Sequence, residues 1–353
     1  MFKELGQEID RAKNYEGGFS NPMAEWLYHT YNGAGRRISI IMPPILFFSC
    51  SLVSYFGNSM VILATLKKKK LHGSYNIFVS LASLGDILHQ NSHWFYMANM
   101  LSGNNFIPYY LCYYINILMV QGITLSIFMT MFVGVDRLIG VTFPIIYTSI
   151  SKVPYIGVCL AASISFAGYI SWLGYGHTKS EFGREPVMCS IIDSMGAGSL
   201  PWFDACFIIN LIDLLIYSIV WIQLRNKTSN NDSMRRVFKS LLVMMVVVVF
   251  GWLVNAFVRS VIIPYGEIPV SQWFFWASYG GLLVNIASTL NFFILFSFSS
   301  EYRTAFTSLL PFLKGFRSHS LLKMQSSNGL TKLEGKSKIS TSTVKPVHTI
   351  TVD

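Results

Sequence analysis

Long uncharged stretches of apolar residues alternate with short polar segments along most of this chain. Seven of these stretches reach about 20 residues, the length of helix that crosses a hydrocarbon core about 30 Å thick. The pattern therefore predicts an all-α membrane protein built as a bundle of seven transmembrane helices. The seven runs cover residues 39–66, 74–101, 107–138, 154–175, 201–224, 237–263 and 272–297.

The polar segments divide the chain into four parts. Residues 1–38 form an N-terminal segment, and residues 39–298 hold the seven predicted spans. Residues 299–316 place apolar side chains between polar ones, which predicts a short amphipathic helix lying in the membrane interface. Residues 317–353 are rich in Ser, Thr and Lys, a composition typical of a disordered tail.

Basic residues lie between the apolar runs and fix a predicted orientation. Four lysines, residues 67–70, follow the first run, and further Lys and Arg residues border the fifth-to-sixth connection and follow the seventh run. Because such residues stay on the cytoplasmic side, we expect a multi-pass plasma-membrane protein with an extracellular N-terminus. The net charge is +10, but the basic residues do not form stripes along amphipathic elements as they do in nucleic-acid binders. We therefore expect no nucleic-acid partner.

The five cysteines cannot all be paired with one another, because their number is odd. Cys50, Cys159 and Cys206 lie inside apolar runs and are predicted to be buried thiols. Cys112 and Cys189 lie near helix ends that are predicted to be extracellular, where oxidation is permitted. They are the candidate disulfide pair.

Polar side chains deep inside the predicted helices are the first candidates for chemistry. An ionised Asp at the bilayer centre costs roughly 2.5–3.5 kcal/mol on insertion scales, and Asp86 lies in the middle of the second run. We predict a hydrated pocket around this acid that holds a sodium ion; the alternative is that each polar group satisfies a neighbouring helix. The other members of the predicted pocket are Asn58, Ser126, Ser288 and Asn291. A second deep acid, Asp213, has no partner that the sequence identifies.

An acidic and a basic residue, Asp136 and Arg137, end the third run. Arg137 either snorkels to the interface or acts as a movable cation that exchanges partners between two states. It lies 25 residues after Cys112, which is about 37 Å of helix at 1.5 Å per residue. The disulfide candidate and the arginine therefore mark opposite ends of one helix.

Together these motifs resemble those of rhodopsin-like G-protein-coupled receptors over about residues 50–305. The segments DILHQNSH (86–93) and MFVGVDRLIGVTFPIIY (131–147) are similar to the nematode serpentine chemoreceptor class called srsx. The residues that carry the wider resemblance are GNSMV (57–61), LASLGD (81–86), Cys112, DRLIGVTFP (136–144), Cys189, Tyr217 and Trp252.

The resemblance implies a receptor that binds an extracellular chemosensory ligand and activates a heterotrimeric G protein. Asp86 would be the acid of an allosteric sodium site, and a Cys112–Cys189 disulfide would tie the outer loop to the third helix. Receptor kinase and arrestin would act at the Ser and Thr residues of the tail. The G-protein surface would include Asp136, Arg137, Tyr217, Arg236 and Lys239.

The sequence also departs from the family pattern. Three positions that usually hold helix-kinking proline hold other residues, so we expect a different hinge geometry. Leu295 replaces the usual tyrosine of the seventh helix. Met234 stands where many relatives hold an acid that latches Arg137, which predicts a weak inactive latch and measurable basal signalling. The three positions without proline are Ile209, Val254 and Phe292.

Helical spacing predicts an outward-opening ligand pocket near the extracellular end of the bundle. Residues on one face of the third, the sixth and the second run should converge there, although ordinary helix packing explains the same spacing. The predicted lining residues are Asn116, Met119, Trp252, Asn255, Arg259 and His93.

Three positions narrow the class of ligand. Receptors for amines usually place Asp where Met119 stands, and opsins need a lysine where Asn285 stands. Neither an amine nor a retinal Schiff base is therefore expected. Arg259 is the one cation deep enough to face a ligand, which favours an acidic one. A small chemosensory molecule and a short peptide both stay open.

Two other functional classes compete with a receptor. Asp86, His89 and His93 have the spacing of metal ligands on one helix face, but the other histidines lie in loops or tails, so we expect no enzyme and no metal other than sodium. A transporter is disfavoured because the sequence has no internal repeat.

Overall fold

The computed structural model describes residues 7–8, 11–227 and 232–311 of the chain. The backbone alone is described for residues 224–227, 232–242, 244, 245 and 260. The predicted tail, residues 317–353, therefore lies outside the described residues, as do residues 312–316 of the predicted amphipathic segment. Residues 1–305 form one compact unit, and the long helices all belong to it.

Seven helices of 26 to 34 residues make up most of the described chain. They overlap the seven apolar runs. Five of them begin and end within three residues of their run, the third ends four residues after its run, and the sixth begins five residues and ends six residues before its run. In chain order they are α1 (Ile38–Lys67), α2 (Ser74–Ser102), α3 (Tyr109–Thr142), α4 (Lys152–Thr178), α5 (Ser199–Lys227), α6 (Asp232–Phe257) and α7 (Val270–Phe298).

Five of these helices, α1, α3, α4, α5 and α7, are long and apolar enough to cross a membrane by length and composition, among the residues described. The apolar part of α6 covers Val246–Phe257. In α2 the hydropathy is lowered by polar side chains that point inward. Asp86, His89, Gln90 and His93 are all buried, so the least hydrophobic helix is also the one with most polar groups in the interior.

The extracellular portion predicted from residues 1–38 contains structure that hydropathy did not reveal. A helix covers Pro22–Tyr31, and the Asn21 side chain caps its first turn by accepting a hydrogen bond from the Ala24 N–H at 2.9 Å. Leu27 and Tyr28 of this helix pack in a buried cluster with Tyr96 of α2. The N-terminal helix therefore lies on one end of the bundle.

The same end carries the disulfide between Cys112 and Cys189. Strand β1 (Ile107–Pro108) pairs antiparallel with β2 (Pro186–Val187). Each strand lies a few residues before one of the two cysteines in the sequence. We call this part the disulfide end. The opposite part, where α3 ends with Asp136 and Arg137, is called the arginine end.

Two glycines let α2 and α3 approach closely in the middle of the bundle. A Cβ added at Gly85 would lie 2.6 Å from the Gly122 carbonyl oxygen, and one added at Gly122 would lie 2.8 Å from the Gly85 oxygen. Small residues at such contacts allow helix backbones to touch. The approach brings Asp86 of α2 against Ser126 of α3.

The outer part of the sixth helix is irregular, although Val254 replaces the usual proline. After Phe257 the chain continues through a π-helical turn, Val258–Ile262, and a short segment, Ile263–Tyr265. Pro264 follows this turn and lacks the N–H that would continue the α-helical ladder. Single π turns often occur at functional sites, and this one contains Arg259.

A further helix covers Ser300–Leu309. It lies within the segment 299–316 that was predicted to be amphipathic. Its position relative to a membrane interface stays a prediction.

Candidate functional site

A polar cavity lies in the middle of the bundle and contains most of the predicted sodium pocket. Asp86, Ser126, Ser288 and Asn291 all line it. The Ser126 hydroxyl donates to Asp86 Oδ1 at 2.6 Å, and the Asn291 amide donates to Asp86 Oδ2 at 3.4 Å. The structure therefore brings together one carboxylate, two hydroxyls and one amide from α2, α3 and α7. We call this space the Asp86 cavity.

Asn58 does not join this group. Its amide donates to the Ser54 hydroxyl one turn earlier in α1, at 2.9 Å, and its side chain is not part of the cavity wall. Next to it, Gly57 packs against Phe292, whose Cβ lies 2.8 Å from the site of an added Gly57 Cβ. The bulky Phe292 at the usual proline position thus occupies the space between α1 and α7.

A second acid, Asp213 of α5, lines the Asp86 cavity from the other side. Its side chain is buried, and its Oδ1 has no hydrogen-bond partner within the described part of the chain. Asn210 and Tyr217, one turn away on either side, line the same cavity. Sequence reasoning missed this association because Asp86 and Asp213 lie on helices that are distant in the chain.

A second cavity lies between the Asp86 cavity and the disulfide end, and we call it the upper cavity. Four of the six residues predicted to line a ligand pocket lie in its wall: His93, Trp252, Asn255 and Arg259. The Trp252 side chain lines both cavities. A ligand in the upper cavity would therefore touch a residue that also borders the Asp86 cavity.

Two predicted lining residues of α3 do not reach the upper cavity. The Asn116 amide donates to the Cys189 sulfur at 3.2 Å and to the Cys112 carbonyl at 3.2 Å. Met119 packs against the apolar cluster that contains Trp202. The disulfide draws Asn116 to itself, and α3 contributes Ile123 to the cavity wall instead.

His93 is held by its neighbours in the upper cavity. Its Nε2 lies 2.8 Å from Asn285 Oδ1, and its ring stacks on Phe47 with centres 4.9 Å apart. Gln90 also donates to Asn285 Oδ1, at 3.3 Å. His89 lies beside His93, yet no group of three His, Cys, Asp or Glu side chains is placed to hold a metal ion in the described residues.

The upper cavity contains two charged side chains, Arg259 and Asp193. Arg259 Nε donates to Asn255 Oδ1 at 3.4 Å, and the guanidinium carbon lies 4.5 Å from the centre of the Phe203 ring. Asp193 was not among the predicted residues, because it lies in the irregular chain before α5. The one sign in the sequence that Asp193 lies near the cavity was its position four residues after Cys189.

The N-terminal segment helps to cover this end of the molecule. Met23 lines the upper cavity. The Ser20 hydroxyl donates to Glu185 Oε1 at 3.0 Å, which joins the N-terminal segment to the loop between α4 and α5. Burial raises the pKa of the Glu185 carboxyl, and the negative charge of Asp193 raises it further, against the hydrogen bond from Ser20.

At the arginine end, Asp136 and Arg137 have different partners. The Tyr147 hydroxyl lies 3.0 and 3.2 Å from the two carboxylate oxygens of Asp136. The guanidinium carbon of Arg137 lies 3.3 Å from the centre of the Tyr75 ring, which belongs to the first turn of α2. Arg137 Nε and Nη2 are buried without a hydrogen-bond partner in the described part of the chain.

The remaining residues predicted at the G-protein surface are placed less directly. Tyr217 is buried and lines the Asp86 cavity, so its side chain points into the bundle in this state. The side chains of Arg236, Lys239 and Met234 lie outside those that the structure describes.

Comparison with known proteins gives one family and several relatives. Residues 51–310 match the family described as "Serpentine type 7TM GPCR chemoreceptor Srsx". The trace amine-associated receptor 8 of Homo sapiens is 23% identical over 236 residues, 58% of this chain and 64% of that protein. The melanin-concentrating hormone receptor 1 of Macaca mulatta is 32% identical over 142 residues, 38% of this chain and 40% of that protein. The trace amine-associated receptor 9 of Mus musculus is 23% identical over 216 residues. The chain thus spans less than two thirds of the length of these relatives.

Proposed function

Because this chain belongs to the Srsx family of serpentine seven-transmembrane G-protein-coupled chemoreceptors, we propose that it binds an extracellular ligand in the upper cavity. The signal then passes to a heterotrimeric G protein at the arginine end. The observation that carries this proposal is the shared wall of the two cavities: Trp252 borders both the upper cavity and the Asp86 cavity.

The proposal includes an orientation in the plasma membrane with all seven helices crossing it. The four lysines at residues 67–70 follow α1, and Lys and Arg residues stay on the cytoplasmic side. The Cys112–Cys189 disulfide belongs on the oxidising, extracellular side. Both features support an extracellular N-terminus and a cytoplasmic arginine end.

The mechanism is a shift between resting and active populations. A ligand that binds the active arrangement more tightly than the resting one biases the equilibrium by that difference in affinity. By family resemblance, the inner end of α6 moves outward in the active state. Arg137 then leaves the Tyr75 ring and contacts the G protein, with Asp136, Tyr217, Arg236 and Lys239 contributing to the same surface.

A sodium ion in the Asp86 cavity is part of the proposal. The residues present suit a hard cation, which prefers oxygen ligands. Asp86 offers a carboxylate, and Ser126, Ser288 and Asn291 offer neutral oxygens around the same cavity. The ion would stabilise the resting state by compensating the buried carboxylate. Receptor kinase and arrestin would act at the tail.

Two of the relatives are named for trace amines and one for melanin-concentrating hormone. We place this receptor's ligand among small chemosensory molecules instead, because the N-terminal segment and the loop that carries Glu185 meet across the disulfide end. That contact leaves less room for a peptide.

The test is a ligand screen in cells that express the receptor with a promiscuous G protein. We expect an agonist response that Arg137→Ala removes at unchanged surface expression. A matched control is Arg303→Ala, which changes an arginine that follows α7 and has no assigned role in coupling. A response that persists fully in Arg137→Ala would contradict the proposed coupling route.

A further inference from the structure

The upper cavity has one negative and one positive side chain in its wall, Asp193 and Arg259. Within the described residues the ion pair found joins Arg11 to Glu8. Asp193 and Arg259 therefore face the same space without forming an ion pair with each other. The sequence identified the cation alone and so favoured an acidic ligand.

Arg259 is held in place by contacts that leave most of its hydrogen-bonding capacity unused. Its Nε donates to Asn255 Oδ1, and its guanidinium plane lies beside the Phe203 ring. A guanidinium group carries five N–H donors in a fixed fork that matches a carboxylate. No hydrogen bond from its two terminal nitrogens is found among the described residues, so the fork remains for a ligand.

Asp193 is held by its own loop. Asp193 Oδ2 accepts a hydrogen bond from the Ser190 N–H at 2.9 Å, and the Ser190 hydroxyl accepts one from the Asp193 N–H at 3.3 Å. The neighbouring Cys189 is fixed to α3 by the disulfide. The carboxylate is therefore placed over the cavity before any ligand binds, which lowers the ordering cost of binding.

Two half-buried charges of opposite sign that form no ion pair with each other favour a ligand that carries both counter-charges. A charge removed from water is costly unless it is paired. A ligand with a carboxylate alone would satisfy Arg259 but would bring a second negative charge toward Asp193. A ligand with an ammonium group alone would satisfy Asp193 and be repelled by Arg259.

We propose that the ligand is a zwitterion with an apolar or aromatic body, such as an amino acid. Its carboxylate binds Arg259, its ammonium group binds Asp193, and its body packs against aromatic rings of the cavity wall. These rings belong to Phe47, Trp202, Trp252 and Phe274. The inference rests on the proposed function, because it takes the upper cavity as the ligand site.

The experiment measures binding directly, with purified receptor in lipid nanodiscs and no G protein. Three probes share one aromatic ring and differ in charge: L-phenylalanine, phenethylamine and 3-phenylpropionate. We expect L-phenylalanine to raise the melting temperature most. Asp193→Asn should abolish the preference for L-phenylalanine over 3-phenylpropionate, and Arg259→Gln should abolish its preference over phenethylamine.

Two matched controls remove charge outside the upper cavity. Asp204→Asn changes an acid of α5 that lines an outer groove, and Arg184→Gln changes a basic residue in the loop before β2. Both variants should keep the ranking of the three probes. Arg259→Lys tests geometry, because it keeps the charge and loses the fork; we expect a weakened preference for the carboxylate-bearing probes.

Some outcomes overturn the inference. One is an equal shift by 3-phenylpropionate and L-phenylalanine in the unchanged receptor. Another is the absence of any shift by L-phenylalanine in receptor that melts cooperatively. Failure of the proposed function looks different: a receptor that binds the zwitterion yet activates no G protein would contradict the signalling proposal and support the ligand class.

Discussion

The disulfide end and the arginine end of the bundle are held together in different ways. At the disulfide end, a covalent bond joins Cys112 to Cys189, two short strands pair, and Asn105 donates hydrogen bonds to the Tyr31 and Gly35 carbonyls of the N-terminal segment. At the arginine end, Arg137 has the face of the Tyr75 ring as its partner.

The two kinds of contact differ in strength. A disulfide contributes about 2–4 kcal/mol to stability, whereas a cation–π contact contributes about 0.5–2 kcal/mol. Arg137 also leaves Nε and Nη2 buried without partners in the described chain, and each such group costs about 1–3 kcal/mol. This arrangement thus carries an unfavourable term, which, under the proposed coupling route, a binding partner with acceptors would relieve. One end is therefore held by a covalent bond, and the other by a weaker contact, as the proposed exchange of partners at Arg137 requires.

The largest expected effect comes from breaking the covalent part of the disulfide end. Cys112→Ser should lower the stability of the purified receptor by about 2–5 kcal/mol and abolish ligand binding, because Asp193 loses its anchored loop. Thermal melting and surface expression measure this. Cys50→Ser is the control, since Cys50 is a free cysteine. A Cys112→Ser receptor that melts like its parent would show that packing alone holds this end.

A smaller effect is expected where α2 and α3 touch midway between the two ends. In Gly122→Ala the new Cβ would lie 2.5 Å from Leu88 Cβ and 2.8 Å from the Gly85 oxygen. Such overpacking costs about 1–3 kcal/mol, and separation of the helices would also lengthen the Ser126–Asp86 hydrogen bond.

The control for this substitution is Gly168→Ala in α4, whose Cβ would meet nothing within 4 Å. We expect Gly168→Ala to leave the melting temperature unchanged or slightly higher, because Ala favours a helix more than Gly does. Equal melting temperatures for Gly122→Ala and Gly168→Ala would mean that α2 and α3 can move apart without cost. The rigid region of the bundle would then be confined to the disulfide end.

The helices of the bundle could be predicted from the sequence because a helix that crosses a membrane needs about 20 consecutive apolar residues, which are visible directly in the chain. The sequence placed Ser126, Ser288 and Asn291 near Asp86 by their depth in the helices, but it also placed Asn58 there, which bonds within α1 instead. The match of residues 51–310 confirms the resemblance to the Srsx family. Helical spacing failed for Asn116, because periodicity gives the face of a helix but not the competing partner, here the sulfur of Cys189.

Other features could not be read from the sequence because they depend on loops or on contacts of a less familiar kind. Asp193 lies in an irregular segment, and Met23 lies in the helix Pro22–Tyr31 within a segment that the sequence showed only as polar, so nothing placed either residue at a cavity. The family pattern led us to look for an acid at position 234 as the partner of Arg137, but this chain has Met234 there. The structure instead uses an aromatic ring from α2, which no spacing rule connects to α3.

The Tyr75 contact can be broken by a single substitution at the arginine end. Tyr75→Ala removes the ring beneath Arg137 and should raise basal signalling, because loss of about 1 kcal/mol from the resting state shifts the equilibrium about fivefold. Tyr75→Phe keeps the ring and loses the hydrogen bond of the hydroxyl to Glu301 at 3.5 Å.

Basal second-messenger output at matched surface expression measures this difference. We expect Tyr75→Phe to stay near the unchanged receptor and Tyr75→Ala to rise above it. If both variants signal alike, the ring face does not restrain Arg137, and the contrast between the two ends is smaller than the structure indicates.

The smallest expected effect concerns pH and the contact between the N-terminal segment and the loop that carries Glu185. Burial raises the pKa of Glu185 above its ordinary value of 4.5. The Glu185 carboxyl therefore binds a proton more tightly when the N-terminal segment is packed against the loop than when the two are apart. Protonation stabilises the packed state fully below the ordinary pKa of Glu185, and this stabilisation is lost as pH rises through the raised pKa. Hydrogen exchange of residues 11–35 should accordingly become faster as pH rises through this window, after correction for the intrinsic exchange rate. Glu185→Gln, which keeps the acceptor for Ser20 and removes the charge, should hold exchange at the slow level throughout; a pH dependence that survives in Glu185→Gln would assign the effect to another group.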